Sequence, residues 1–405
     1  MEVGTMNQAV VSGGRLGAAD EPVDLFIQHG HIAAIEPYIE AHDATRIEAS
    51  GLLLVPGLVD AHCHLDKTLF GLDWVPHTAG ADLRDRIETE RARRGELGVP
   101  SDTAMAALVE AMVTSGTTVA RTHTDVFPEV GGAHVRAVQR VADRYRHQIE
   151  IQQVGFPQYG VLSSPETRGV LEELAADGSI AAVGGIDPAG VEGDPVAALD
   201  ALFEIAAQYG IGVDIHLHDH GTLGLWQLEA ITRHTTRFDL AGRVNVSHAY
   251  ALGEADVDTQ RLWGAKLADA GVSLVTAAVY DFPVPQVDVM RAAGVALGIG
   301  NDGVRDLWGP YGDGDMLRRA MLVAYRCGFR RDELIGLTLD AATTQNARIL
   351  GLPPAGLAPG APADIVAVAA DSPAAAVATC PPRSWVMKNG RVVARDGALV
   401  RGDEP

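Results

Sequence analysis

Residues 52–61 form an almost unbroken apolar run that ends in His62-Cys63-His64. Side chains two apart on a strand share a face, so His62 and His64 aim two imidazoles at one point while Cys63 turns away. That is how a strand offers two ligands to a single metal ion. His216 and His218 repeat the spacing, and His123, His248 and Asp302 stand at the ends of other β-rich runs. One histidine in such a place is ordinarily a satisfied core or surface side chain. Five run ends carrying His or Asp point instead to a shared site, where imidazole and carboxylate are the available ligands, acids and bases.

Those residues converge only if the runs that carry them are neighbouring strands. Short β-rich runs at 58–62, 117–123, 149–155, 180–186, 212–218, 243–248, 272–277 and 295–302 alternate with helical patterns, as parallel strands with helical crossovers do. Helices are predicted at 102–114 behind the N-cap Ser101, at 195–209 and at 255–270. Eight β/α units predict an α/β protein, a (β/α)8 TIM barrel, whose reactive groups sit at the C-terminal ends of the strands. Both chain ends read as β. A hairpin spans 23–35, and 364–369 and 385–387 lead through Lys388-Asn389-Gly390 into 391–394, with Asn-Gly as the hairpin signal. The expected layout is a small composite β-sandwich domain from residues 1–56 and 357–405, with one sheet drawing on both ends, around a barrel at 57–356.

Composition narrows the class of function. At 405 residues and 47% hydrophobic the chain buries a large core, and a formal charge of −21 argues against nucleic acid or an anionic membrane as partner. A small, neutral substrate is the better match; a homo-oligomer is left open. No basic, apolar leader and no membrane-length apolar run stands out, so a cytoplasmic protein is expected. Cys63, Cys327 and Cys380 are too few and too scattered for a disulfide framework or a thiolate zinc site.

Pro56-Gly57-Leu58-Val59-Asp60-Ala61-His62-Cys63-His64, with His216, His248, Asp302 and the late Asn346-Ala347-Arg348-Ile349-Leu350-Gly351, resembles the amidohydrolase superfamily. Arg121-Thr122-His123-Thr124-Asp125-Val126, Phe156-Pro157-Gln158, Ser247-His248, and Asp302 with Trp308 behind it resemble its cytosine deaminase and N-isopropylammelide isopropylaminohydrolase branch. His64-Leu65-Asp66-Lys67 and His216-Leu217-His218-Asp219 favour the second member of that branch. The resemblance covers about residues 20–395.

The resemblance implies one divalent ion, Zn2+ or Fe2+, held by His62, His64, His216 and Asp302. Binuclear relatives bridge two metals with a carboxylated lysine on the fourth strand, whereas here Lys67, Lys266 and Lys388 are the only lysines. It further implies a hydrolase of carbon–nitrogen bonds, a deaminase that removes an exocyclic amino or alkylamino group from a pyrimidine or s-triazine ring. A bound ion lowers the pKa of water from about 15.7 toward roughly 7. Asp302 is then the general base, and His248 holds the nucleophile. Cytosine deaminases place a glutamate three residues after the fifth-strand histidine, where this chain has the shorter Asp219. His218 shares a face with His216 and is the better placed proton shuttle. Gln158 offers donor and acceptor to an amide-like ring edge, Lys67 a cation for a ring carbonyl, and Trp308 a ring face. The second aspartate that follows the metal aspartate in cytosine deaminase is Gly303 here, which counts against cytosine itself.

Two other readings stay open: a dihydropyrimidinase-like cyclic amide hydrolase, and a non-catalytic barrel that keeps a metal for structure. Residues 68–98 are too long for an ordinary βα connection and carry the alternating charges of 82–94, as a solvated helix or a lid over the site would. The glycines of Gly298-Ile299-Gly300-Asn301-Asp302-Gly303 match a dinucleotide pattern, but the loop-rich 304–314 follows where that motif needs a helix. Tyr311-Gly312-Asp313-Gly314-Asp315 lacks the ligand alternation of a calcium loop and is read as a turn capping the next helix.

Overall fold

A computed structural model describes residues 8–18, 20–80, 82–162, 165–353 and 356–400. The chain opens with β1 (Gln8–Gly14), β2 (Val23–Gln28), β3 (His31–Glu36), β4 (Thr45–Glu48) and β5 (Leu53–Pro56). Eight strands follow: β6 (Leu58–Cys63), β7 (Thr117–Asp125), β8 (Glu150–Phe156), β9 (Ala182–Ile186), β10 (Gly212–Leu217), β11 (Val244–His248), β12 (Val272–Thr276) and β13 (Leu297–Ile299). They form one sheet in sequence order, and each adjacent pair is parallel. Helical crossovers impose this, because parallel neighbours cannot be joined by a tight turn. Their ends meet through a parallel bridge between Cys63 and Asp302, so the (β/α)8 barrel closes where the metal-ligand candidates lie.

That seam is short of ladder bonds, and buried side chains replace them. Asp60 accepts from the backbone and side-chain N–H groups of Asn301 at 3.1 and 2.7 Å. The Asn346 side chain donates to the carbonyls of Val59 and Ile299 and accepts from the Ile299 N–H. Gly300 stands in the seam because a Cβ there would meet the His62 carbonyl oxygen at 2.5 Å. Gly300 of the dinucleotide-like stretch thus serves close backbone approach, while Gly298 leaves room for the Asn346 side chain. The eighth strand is shorter than the expected 295–302, since Asp302 turns into the left-handed region at φ 61°.

The three predicted helices form, with Ser101 capping the first as expected and the third starting at Val257 rather than 255. Ser101 accepts from Ala104 N, Asp194 caps the helix that opens with Pro195, and the helix Val257–Ala270 runs between the cap Asp256 and the left-handed Gly271. Asp315 caps Met316–Arg326, as the turn reading of 311–315 requires.

The terminal strands make the two sheets of the expected β-sandwich, but the hairpin at 23–35 and the strands of 364–394 lie in different sheets rather than sharing one. One has the order β3-β2-β1-β4, all from the start of the chain. The other is completed by β14 (Ile365–Val368), β15 (Arg383–Lys388), β16 (Arg391–Arg395) and β17 (Ala398–Leu399), in the order β17-β16-β15-β14-β5. Val11, Leu25 and Ile47 of the first pack with Leu54, Ile365, Trp385 and Met387 of the second in one apolar core. Two amphipathic sheets bury their inner faces only by stacking, so β5 crosses into the C-terminal sheet and joins the layers.

Candidate active site and metal centre

The ligand candidates converge. His62 Nε2 and His64 Nε2 lie 3.6 and 3.3 Å from Asp302 Oδ1, and His216 Nε2 lies 3.4 Å from His64 Nε2. Four ligands about 2.1 Å from one tetrahedral ion sit roughly 3.4 Å apart, so these three separations fit a single divalent cation; His123 also lies within ligand range of the three histidines, and His248 within range of His62 and Asp302. The buried His62 Nε2 has no hydrogen-bond partner among the described residues, an orphan a cation would satisfy. Outer partners set the tautomers. The His62 Nδ1 contacts Ser247 Oγ at 2.8 Å, and Ser247 leans on Asp214 Oδ1 at 3.1 Å. The His64 Nδ1–H donates to the carbonyl of His123 at 3.1 Å. Both arrangements turn Nε2 toward the common point.

His123 does not close its strand, since β7 continues to Asp125. Its fully buried ring lies against that of His62, with centroids 4.1 Å apart, and its Nε2 lies 3.3 Å from Asp214 Oδ1. Burial, then the neighbouring His62, lowers its pKa to about 3, so it stays neutral beneath the ligands.

Above them stand the candidate acids and bases. His248 Nε2 is 4.0 Å from Asp302 Oδ2, the oxygen turned away from His62 and His64, and neither His248 nitrogen has a partner among the described residues. The His218 ring stacks on His248 at 4.7 Å. Its Nδ1–H donates to Asp187 Oδ2 at 2.7 Å, while Asp187 Oδ1 accepts from the His218 backbone N–H at 2.6 Å. Burial alone would lower the His218 imidazole, but the Asp187 carboxylate, helped by Asp302 and Asp219, outweighs it and holds the group above its ordinary value. The Asp219 carboxylate accepts from Gly190 N–H and Gln227 Nε2, which separates it from His218 by its commitments.

Lys67, Gln158 and Trp308 line the same cavity of about 980 Å3, together with His64, His216, His218, His248 and Asp302. Lys67 is 5% exposed, far from the surface cation its type suggests. It donates to Gln158 Oε1 and lies 3.0 Å from Asp125 Oδ1 and 3.6 Å from Glu90 Oε2. Burial would strip its proton, yet the carboxylates of Asp125, Glu90 and Asp66 raise its pKa and keep it charged. With its oxygen committed, Gln158 presents Nε2, which has no partner among the described residues. Trp308 Nε1 donates to Glu90 Oε2. Glu90 is the buried residue of the helix Leu83–Arg93, so the long segment after β6 does form a charged helix, and its carboxylate stands behind Lys67 and Trp308 of the cavity wall. Asp187, Glu90 and Asp306 escaped the reading of the sequence. Asp187 follows β9 directly and obeys the strand-end rule; the other two lie in a loop and a surface helix, without a signal.

Strain concentrates at the same mouth. Asp187, His248, Ala278, Tyr280, Asp302 and Arg305 all have left-handed φ and all line the cavity; non-glycine residues rarely persist there unless surrounding contacts hold them.

A profile of the Amidohydrolase family matches residues 45–400, and the chain belongs to that family. It is similar to the N-isopropylammelide isopropyl amidohydrolase of Pseudomonas sp. (strain ADP), 30% identical over 400 residues that cover 96% of this chain and 98% of that protein. The crystal structure of N-isopropylammelide isopropylaminohydrolase from Burkholderia multivorans matches with a TM-score of 0.93 at 42% identity, covering 98% of this chain and 100% of that one. 5-Methylcytosine deaminase from Klebsiella pneumoniae, crystallised with 5-fluorocytosine, shares the fold, with a TM-score of 0.83 at 24% identity over 95% and 97% of the two chains.

Proposed function

We propose that this protein is a hydrolase that removes an exocyclic amino or alkylamino group from an oxo-substituted pyrimidine or s-triazine. The observation that carries the reading is the approach of His62, His64, His216 and Asp302 to one point beneath His248 and the His218–Asp187 pair, in a cavity whose other wall offers Lys67 and Gln158. The similarity to the two N-isopropylammelide hydrolases supports the substrate class.

His62, His64, His216 and Asp302 would hold one Zn2+ or Fe2+, which supplies a water nucleophile at neutral pH. No lysine lies between Lys67 and Lys266, so β9 has no bridging ligand for a second ion. Asp302 Oδ2, free of the ligand contacts, takes the proton from water as it attacks the ring carbon. The unpartnered His248 Nε2 orients that water beside Asp302. Lys67 and Gln158 Nε2 donate to a ring oxygen and hold the heterocycle against it. The ring carbon gains a C–O bond and loses its C–N bond, and the amine leaves only when protonated. His218 supplies that proton from Nε2, because Asp187 holds its Nδ1–H, and Asp219 is bound elsewhere. The segment after β6, whose Asp82, Leu83 and Arg86 line the cavity, is its lid.

The test is to incubate metal-reconstituted protein with amino- and alkylamino-substituted oxo-pyrimidines and 1,3,5-triazines, quantifying free amine and ring-opened product separately. Amine release with the ring intact is expected. Ring opening would give the cyclic amide hydrolase reading instead, and no turnover by fully loaded protein would leave a structural metal barrel.

A further inference from the structure

Gly303 follows the ligand candidate Asp302, and its φ lies outside the left-handed region, so glycine is not required there by conformation. It is required by space. A Cβ at 303 would meet Asp306 Oδ2 at 2.0 Å and Asp306 Cγ at 2.8 Å. The space beside Asp302 is therefore taken by the carboxylate of Asp306, three residues after Gly303. Asp306 is 3% exposed and lines the cavity.

Its two oxygens are used differently. Oδ1 accepts from the backbone N–H groups of Trp308 and Gly309 at 2.8 and 2.9 Å and fixes the turn of the loop. His77 Nε2 and Gly309 tie down the Asp306 backbone, through its carbonyl at 2.7 Å and its N–H at 3.1 Å. Oδ2 has no donor among the described residues. Burial, with the like charges of Glu90 and Asp302, pushes the carboxyl up to about 7, so its ionised form, above that value, is the acceptor.

We infer that Asp306 is a specificity-determining residue whose Oδ2 accepts a ring N–H of the substrate, in the space that glycine at 303 leaves free. Lys67 and Gln158 are donors to a ring oxygen, whereas Asp306 is an acceptor, so the cavity selects a ring that carries C=O on one edge and N–H on another. Methylation of that nitrogen removes the donor and leaves a buried acceptor unpaired, the kind of mismatch by which polar sites reject analogues. The inference rests on the proposed function for the class of ring.

Asp306→Asn separates this from a loop-fixing role, because asparagine keeps an oxygen for the Trp308 and Gly309 N–H groups while the oxygen without a donor becomes an amide donor. Calorimetry of metal-loaded protein with 1,3,5-triazine-2,4,6-trione and with its N-trimethyl derivative gives the readout. Asp306→Asn is expected to weaken the trione about tenfold, one charged hydrogen bond, and to leave the trimethyl compound within about threefold, with metal content unchanged. Gly303→Ala should do the same by expelling Oδ2. Equal effects on both compounds, no effect on either, or failure of wild type to prefer the trione would overturn the assignment. Amine release with an unresponsive Asp306→Asn rejects this inference alone; a lost N–H preference without amine release rejects the reaction alone.

Discussion

The metal half and the ring half of the cavity are built by different means. His62, His64 and His216 come from β6 and β10 or the residue after, and Asp302 from the barrel seam; Ser247 and Asp214 on neighbouring strands back them. Lys67, Gln158, Glu90, Asp306 and Trp308 come from loops and one surface helix, and buried charges hold them to one another. Rigid strand ends suit an ion that tolerates little error in ligand position, whereas loops can be altered without disturbing the barrel. Chemistry on the first half and selectivity on the second is the division this predicts.

The largest effects belong to the metal half. On the proposed roles Asp302→Asn would lose both an anionic ligand and a proton acceptor, and kcat should fall at least about 10²-fold; a variant that retains more than about a hundredth of the rate would remove Asp302 as base. His248→Ala should keep its metal by elemental analysis while kcat falls about 10²-fold. Metal loss would make His248 a ligand and redraw the boundary between the halves. Asp187→Asn acts through His218, whose Nδ1–H loses its carboxylate, and kcat should drop roughly tenfold to 10²-fold with metal unchanged. That loss should shrink for a substrate whose leaving amine is less basic and needs less help from an acid. Equal losses for good and poor leaving groups would show that Asp187 does not work through His218.

The same division explains what the sequence discloses. A strand's period of two assigns His62 and His64 to one face, and a parallel barrel gathers strand ends from distant positions, so the sequence brings His62, His64, His123, His216, His218, His248 and Asp302 to one mouth, while the choice of four ligands among them rests on the family resemblance. Asp187 falls under the same rule. Asp306 and Glu90 do not, because no period governs a loop, and Glu90 belongs to a helix whose charges alternate like any solvated face. Lys67 is visible by type but not by burial, since Asp125, Glu90 and Gln158 reach it from separate elements. Which terminal strands share a sheet was hidden for a related reason: β5 is adjacent in sequence to β4 but pairs with β14.

Glu90 shows how the ring half is held. The helix Leu83–Arg93 has no apolar face to bury, and its buried carboxylate touches Lys67 and Trp308. Glu90→Ala should therefore loosen the helix, with faster amide exchange across 83–93, and raise KM about threefold to tenfold. Because the ligands lie elsewhere, kcat should stay within about twofold. A fall in kcat at unchanged KM would mean that the helix serves the metal half instead.

The smallest effect is one of stability. Asp306 keeps a carboxyl raised by burial, then by Glu90 and Asp302, to about 7 in the fold, whereas an unfolded chain loses that proton near about 3.9. Between those values the unfolded state binds fewer protons than the folded state, so this group's contribution is full at low pH and is lost as pH rises through 7. Asp306→Asn carries no such charge and keeps the bonds of Oδ1. Its melting temperature relative to wild type should therefore rise from pH 4 to pH 7 and level off above, in the absence of any ring compound. A difference that is flat with pH would mean the carboxylate already has a donor in the free protein, and the ring half would then be preformed for something other than an N–H.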